Sequence, residues 1–265
     1  TPSGAIYKAW VAGLNTAGIM DHDSIAGGEE FVEAGHILGL PVTCGIECRV
    51  DMGNTPFAGR LINNPDQPGC AYMAIMGVPR THQAAMQAAF EPKRQARFRR
   101  NERMTRRIAQ LMAPYGIPLS YEKDVVPLSM AEYGGSITER HILFALTRNI
   151  LRHTGRGAGL LAFLSRLGLP VEGKARERLL DVDFPYYEYD VLNVLKGHFV
   201  AQFYLPATDE LLQPEELVSL ARATGSIATY SYLGDVGDSV TGDKAAQQFE
   251  DAYLDELLTW LRDMG

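Results

Sequence analysis

The order of helices and strands at the start of the chain constrains the fold most. Residues 4–16 have the apolar spacing of an amphipathic helix, residues 18–20 predict a short strand, and residues 26–39 predict a second helix. A second strand is expected at residues 41–46, ending at Glu47. Strands that alternate with helices in this way are typical of parallel sheets, so the sequence predicts the α/β class.

The middle of the chain departs from this alternation. Residues 81–113 predict a long helix interrupted near Pro92, and few strand patterns occur between residues 80 and 200. The other expected elements are strands at 70–78 and 226–232, helices at 137–153, 157–167, 174–180, 214–224 and 244–264, and a helix or extended segment at 187–200. We therefore divide the chain into an α/β barrel portion at residues 1–80 and 205–265 and a mainly helical insertion at residues 81–204.

Composition limits the class of protein. Of the 265 residues, 46% are hydrophobic and 22% are charged, which is enough to bury a core. No run approaches the roughly 18–20 apolar residues of a membrane span, and a net charge of −7 argues against nucleic-acid binding through bulk charge. Three cysteines favour a reducing compartment over a disulfide framework. We expect a cytoplasmic protein without membrane contact, with Cys44, Cys48 and Cys70 as small buried side chains.

A polar cluster follows the first predicted strand, where His22 stands between Asp21 and Asp23. In parallel α/β folds, binding sites form at the carboxyl ends of the strands. A neutral imidazole is a common metal ligand. A neighbouring carboxylate such as Asp21 or Asp23 can fix its tautomer by accepting a hydrogen bond from the ring nitrogen that does not bind the metal. The alternative is a turn in which Asp23 or Ser24 caps the next helix, and this segment alone favours neither interpretation.

Glu47 is the second candidate ligand. If the first two strands are parallel neighbours, the side chains of His22 and Glu47 reach the same rim of the sheet. A carboxylate can bridge two cations, as a multinuclear hydrolytic site requires. Because an exposed glutamate at a strand end is common, the hypothesis of a metal site depends on the pair.

These segments resemble one known family. Residues 18–27, together with Glu30-Phe31, Ala34-Gly35 and Gly45-Ile46-Glu47, are similar to the PHP (polymerase and histidinol phosphatase) family of metal-dependent phosphoesterases. The resemblance covers about residues 1–50 and implies a distorted (β/α)₇ TIM-like barrel that hydrolyses phosphoesters with divalent metal ions, Mn, Zn, Fe or Mg. It makes His22 a metal ligand and Glu47 a bridging metal ligand.

The sequence departs from the family pattern at several metal-binding segments. The family's His-x-His and a following Asp would precede Thr1, and its closing Asp-x-His would follow Gly265. Ala74 stands where the family's His-Ile-Leu-Gly segment has its histidine, and Tyr232 stands where the Ala-His-Pro segment has its own. Asp235 is a candidate replacement ligand. Because a tight site needs three or four protein ligands, we expect at most one labile ion.

The predicted elements at the two ends of the chain bear on whether the barrel is complete. The first and last predicted elements are helices without a flanking strand, which means either that the fold begins and ends with helices or that sheet material is absent. We favour the second interpretation and expect an incomplete barrel. Unpaired strand edges are usually covered, so we also expect self-association or a visibly open barrel.

A second, shorter resemblance lies in the predicted insertion. Residues 138–142 resemble the Arg-Pro-His-Ile segment of family members that cleave nucleotides or nucleic acids and carry a helical insertion. In those members such residues lie near the substrate phosphate. The resemblance therefore makes Arg140 and His141 candidate catalytic residues. A solvent-facing position at a helix start is the equally supported alternative for His141.

The long predicted helix carries a run of positive charge. We expect it to be a solvated insertion helix, with a contact to substrate phosphates or to a nucleic-acid backbone as the alternative. The basic residues are Lys93, Arg94, Arg97, Arg99, Arg100, Arg103, Arg106 and Arg107.

Three functions remain open from the sequence. The first is a metal-dependent phosphoesterase acting on a nucleotide, an oligonucleotide or a small phosphorylated metabolite. The second is a relative with an impaired metal site, which Ala74 and Tyr232 favour. The third is a nucleic-acid-contacting protein that uses residues 93–107. The expected partner is a small phosphorylated substrate; nucleic acid and a second copy of the chain are the other candidates.

Overall fold

The computed structural model describes residues 1–64, 66–232 and 250–264. The strands within them are β1 (Ala17–His22), β2 (Val42–Asp51), β3 (Cys70–Met76) and β4 (Ile227–Tyr230). The helices are α1 (Pro2–Val11), α2 (Gly28–Leu38), α3 (Arg80–Met112), α4 (Glu139–Thr154), α5 (Ala158–Arg166), α6 (Gly173–Leu180), α7 (Tyr187–His198), α8 (Val200–Phe203), α9 (Pro214–Thr224) and α10 (Leu254–Met264).

The strands form one sheet in the order β1-β2-β3-β4. β1 is parallel to β2, as the sequence predicts, whereas β2 and β3 are antiparallel and so are β3 and β4. The α/β character is therefore confirmed. The described residues form an open mixed sheet, and a closed TIM-like barrel is not formed by them.

β2 is longer than the sequence analysis predicted. The prediction ended this strand at Glu47, but the ladder with β3 continues to the pair of Asp51 with Cys70, so Glu47 lies inside the strand. Cys48 and Val50 explain the extension, because they are buried and continue the alternation of a strand that faces a core. β1, by contrast, ends at His22, whose register partner is Glu47.

The two faces of β2 differ in character. Ile46, Cys48 and Val50 point into an apolar core, and each is at most 1% exposed. Glu47 and Arg49 point to the opposite face, because successive side chains of a strand alternate. Since register partners share a face, His22 lies on the same side as these two residues.

The buried apolar side chains form two clusters. One lies under the sheet and includes Phe31, Ile46 and Leu217, and the other lies among α4, α5 and α7. α3 contributes to both, with Phe90 in the first and Ile108 in the second. The division into barrel portion and insertion stays a prediction.

Several predicted boundaries need correction. α3 is continuous through Pro92, where a break was predicted, because both of its halves are held by a core. α1 ends at Val11, and Gly13 follows with a positive φ of 73° that suits a helix stop. α10 begins at Leu254; residues 244–249 of that predicted helix lie outside the described residues.

The three cysteines are buried free thiols, as predicted. Burial raises the pKa of each thiol, most strongly at Cys48. Among the residues that the structure describes, no helix combines the length and the apolar character that crossing a membrane requires.

Candidate active site

The parallel pairing of β1 with β2 brings His22 and Glu47 together. Nδ1 of His22 lies 2.9 Å from Oε2 of Glu47, and the side chains are 35% and 25% exposed. Nδ1 is nevertheless buried and makes no hydrogen bond, so the two atoms are close without the alignment that a shared proton requires. The pair thus combines an unsatisfied imidazole nitrogen and a carboxylate oxygen on two partly exposed side chains.

The two donor atoms of this pair are of types that bind a divalent cation. Imidazole nitrogen and carboxylate oxygen are both ligands of Zn²⁺ and of similar ions. Neighbouring ligands of an octahedral ion are roughly 3.0 Å apart when each lies about 2.1 Å from the metal, which is close to the observed separation of 2.9 Å. Within the described ranges, however, no group of three or more His, Cys, Asp or Glu side chains is placed to hold a metal. The described donors therefore number two.

The other candidate ligand positions add no donor among the residues that the structure describes. Ala74 is the register partner of Glu47 on β3, so a methyl group lies beside the carboxylate. Tyr232 donates a hydrogen bond from its hydroxyl to Oδ1 of Asp251 at 2.8 Å. Asp235, the candidate replacement ligand, lies outside the described residues.

The two aspartates that flank His22 have different surroundings. Asp21 has Ile46 as its register partner, so it lies on the face opposite His22. Desolvation raises the pKa of the Asp21 carboxyl, and the neighbouring His22 opposes this. Asp23 is buried with a positive φ of 55°, and its carboxylate is paired with Arg97. The structure therefore engages Asp23 in a separate ion pair.

A buried cluster of charges lies next to the pair. It was not identified from the sequence, and it comprises Arg49, Arg97, Arg100, Asp23, Glu139 and Glu210. The predicted solvated helix is thus wrong for Arg97 and Arg100, each 1% exposed, and for Arg94, which is also buried. Arg99, Arg103, Arg106 and Arg107 are exposed, as that prediction requires. The cluster joins α3 to the sheet by charge.

Glu139, the first residue of α4, receives contacts from three arginines. Nη2 of Arg100 lies 2.7 Å and Nη2 of Arg49 lies 3.3 Å from Oε1, and Nη2 of Arg97 lies 3.5 Å from Oε2. Burial by itself would raise the pKa of the Glu139 carboxyl. The three guanidinium groups outweigh burial and hold this pKa well below its ordinary value. Glu139 is therefore ionised at neutral pH.

Tyr72 connects this cluster to the candidate metal ligands. Nε of Arg49 donates a hydrogen bond to the Tyr72 hydroxyl at 3.0 Å, and the Tyr72 ring centroid lies 5.7 Å from that of His22. Arg49 follows Glu47 by two residues on β2, a separation of about 6.6 Å on the same face. The arginine cluster and the His22–Glu47 pair are thus adjacent on one surface of the sheet.

The structure places Arg140 and His141 at the start of α4. Arg140 is exposed, whereas His141 is partly buried and turns back to the helix start, where its Nδ1 accepts a hydrogen bond at 3.0 Å from the backbone N–H of Thr138. Burial, and secondarily the positive charge of Arg97, lowers the pKa of His141. At neutral pH the ring is therefore neutral, with its proton on Nε2.

One signal in the sequence could have indicated the buried arginines. Phe90, Arg94, Arg97, Met104 and Ile108 recur at helical spacing and are all buried in α3. Two arginines thus interrupt an otherwise apolar stripe. A buried arginine needs an acidic partner, and Arg94 has one three residues earlier in Glu91. For Arg97, the sequence does not show which of the chain's 32 acidic residues is the partner.

Comparisons with known proteins give a fold resemblance. No protein-family model matches the chain, and no curated protein sequence is similar to it. Among solved structures, a protein described as a metal-dependent phosphoesterase from Bifidobacterium adolescentis is similar at a TM-score of 0.59 and 19% identity. An amidohydrolase from Chromobacterium violaceum, solved with bound sulfate and no metal, is similar at a TM-score of 0.58 and 16% identity. Each similarity covers 100% of this chain and 69% of the other, so the chain has a fold that also occurs in hydrolases of this kind.

Proposed function

We propose that this chain is a metal-dependent phosphoesterase of the PHP type, with His22 and Glu47 holding a single divalent cation, Mn, Zn, Fe or Mg. The observation that carries the proposal is the separation of 2.9 Å between an unsatisfied imidazole nitrogen and a carboxylate oxygen. Both side chains of the pair are partly exposed. The fold similarity to a metal-dependent phosphoesterase supports the same activity.

The chain's own groups suggest how a phosphoester would be held. When bound, a divalent cation supplies polarisation of a phosphoryl oxygen and activation of a water molecule. His22 and Glu47 bind that ion, and Arg49, two residues along β2 on the same face, belongs to the adjacent cluster of paired charges. The neutral His141 ring has its Nε2 proton available for a phosphate oxygen. The sulfate bound to the similar amidohydrolase is an anion with the same tetrahedral shape as phosphate.

The proposed substrate is a small phosphate monoester, such as a nucleotide or a phosphorylated metabolite. Nucleic acid is a weaker proposal than the sequence alone suggested, because Arg94, Arg97 and Arg100 are buried. A cytoplasmic location and self-association through the open sheet edges stay proposals as well. The three free thiols accord with a reducing compartment.

A second function is favoured by a specific observation. Ala74 occupies the position beside Glu47, and the described residues offer two metal donors where a catalytic zinc site usually has three protein ligands. A PHP-type protein with an impaired metal site would have this appearance. Such a protein would keep the fold and the phosphate-binding charges and would lack turnover.

Metal binding and turnover separate these two functions. Purified chain is titrated with Mn²⁺ by calorimetry and assayed with a panel of phosphate monoesters in Mn²⁺. The variants His22→Ala and Glu47→Gln are compared with His36→Ala and Glu33→Gln, which change exposed residues of α2. The phosphoesterase proposal expects the two site variants to lose more activity than the roughly 10- to 100-fold that loss of an outer-sphere partner costs.

The outcomes distinguish the candidates. Mn²⁺ binding that depends on His22 and Glu47, together with turnover, supports the phosphoesterase. Binding without turnover on any monoester of the panel supports the impaired relative. Absence of Mn²⁺, Zn²⁺ and Fe²⁺ binding by a folded chain contradicts the metal site itself.

A further inference from the structure

The surroundings of Glu139 resemble those of a bound anion. Three guanidinium groups, from Arg49, Arg97 and Arg100, each direct an Nη2 atom at its carboxylate. The arginine side chains are 5%, 1% and 2% exposed, so the donors that surround this carboxylate are shielded from water. Charge-assisted N–H donors that converge in this way are the arrangement by which proteins recognise carboxylates and phosphates.

Glu139 differs from the two other acids of the cluster in its access to solvent. Its side chain is 19% exposed, whereas those of Asp23 and Glu210 are each 3% exposed. Asp23 and Glu210 are therefore sealed counter-ions. Glu139 is the member of the cluster that an anion from solution can reach and replace.

The charges and donors of the cluster also leave room for an external anion. The three arginines are balanced by three carboxylates, so the cluster gains an uncompensated positive charge whenever Glu139 moves away. Nε of Arg97 is buried and makes no hydrogen bond. A ligand with more oxygens than a carboxylate could satisfy this donor as well.

We propose that Arg49, Arg97 and Arg100 form an oxyanion site that Glu139 occupies in the ligand-free chain, and that the phosphate group of a phosphate monoester competes with Glu139 for it. When Glu139 leaves, a singly charged phosphate group makes the cluster neutral and a dianion gives it one net negative charge, and the phosphate oxygens match the converging donors. The identification of the anion as phosphate rests on the proposed function, whereas the anion site itself does not. Glu139 is then an internal competitor that weakens the binding of free phosphate.

The test measures phosphate binding without catalysis. Inorganic phosphate is titrated by calorimetry into the whole chain in the presence of a chelator, for the wild type, Glu139→Ala and Glu139→Gln. Glu132→Gln, a change to an exposed side chain, is the control for the loss of one negative charge. Because removal of Glu139 frees at least one charge-assisted donor, we expect both Glu139 variants to bind phosphate roughly tenfold or more tighter than the wild type. The control is expected to bind as the wild type does.

Each result decides the proposal. Unchanged phosphate affinity in folded Glu139 variants overturns it, and so does an equal gain in Glu132→Gln, which would reflect net charge alone. If both Glu139 variants fail to fold, they are refolded in phosphate and in chloride of equal ionic strength. Recovery only in phosphate supports the site, and equal recovery or none overturns it. The titration is done without metal. A chain that binds phosphate at this site but shows no turnover would therefore contradict the proposed function and leave the anion site supported.

Discussion

Glu47 and Ala74 are register partners on β2 and β3, so the side chain beside the candidate metal-binding carboxylate is a methyl group. Side chains that face each other across an antiparallel pair are about 4.5–5.5 Å apart at Cβ. A ligand at position 74 would therefore reach an ion placed between His22 and Glu47. Among the described residues, replacing Ala74 by a ligating residue would add a third metal donor next to His22 and Glu47.

We predict that Ala74→His tightens Mn²⁺ and Zn²⁺ binding by about tenfold or more, because it raises the donors from two to the three of a catalytic zinc site. Overpacking at this buried position will cost about 1–3 kcal/mol of stability. Calorimetric titration of the variant measures the gain. The double variant Ala74→His with His22→Ala is the control and should lose it. A gain that persists without His22 would show that the ion binds elsewhere.

A second prediction concerns the ion pair of Arg97 with Asp23, which connects α3 to the loop after β1. Arg97→Met leaves the buried Asp23 carboxylate without its main partner, so we expect a loss of about 3–5 kcal/mol in the free energy of unfolding. Arg99→Met changes an exposed neighbour on the same helix and should stay within about 0.5 kcal/mol. Urea unfolding of both variants measures the difference. Equal effects would mean that the ion pair does not stabilise the fold.

A third prediction follows from the lowered pKa of Glu139. Its ordinary value is 4.5, and in the folded chain the carboxylate keeps its charge at lower pH than in the unfolded chain. The resulting stabilisation is complete above pH 4.5 and is lost as the pH falls towards the folded pKa. Glu139→Gln lacks this contribution. The difference in unfolding free energy between wild type and variant should therefore shrink below that pH, as urea unfolding across acidic pH would show. A difference that stays constant or grows on acidification would contradict the predicted direction.

Pro92 gives a fourth prediction, because α3 continues through it. A proline has no N–H, so the carbonyl of Ala88 lacks its helical hydrogen bond. Pro92→Ala should stabilise the chain by about 2 kcal/mol, the helix penalty of proline less the entropy it removes from the unfolded chain. Pro79→Ala is the control, because Pro79 precedes the first residue of α3 and breaks no helical bond. Thermal unfolding measures both, and a lower melting temperature for Pro92→Ala would contradict the argument.

The sequence was informative where local patterns decide the structure. β1 and α2 fall close to their predicted positions, because apolar alternation and helical spacing act within a few residues. The parallel pairing of the first two strands follows from the helix between them. The approach of His22 to Glu47 follows from that pairing. The candidate metal ligands could therefore be named before the structure was known.

Other features of the site could be identified only from the folded structure. The antiparallel placement of β3 brings Ala74 beside Glu47 and Tyr72 beside Arg49. No local pattern specifies that pairing, because it depends on how distant segments close over a common core. The path of β2 beyond Glu47 is likewise set by its ladder with β3.

By itself, the sequence determined the α/β class of the frame, the burial of the three cysteines and the approach of His22 to Glu47. Only the tertiary structure decided which arginines of α3 are solvated and which are buried among carboxylates. Asp23, Glu139 and Glu210 are 116 and 71 residues apart in succession, yet they meet in one cluster with three arginines, and Glu139 contacts all three. Ion pairing is non-local and needs only that the opposite charge be close in space, so the chain must fold before the partners of an arginine are fixed.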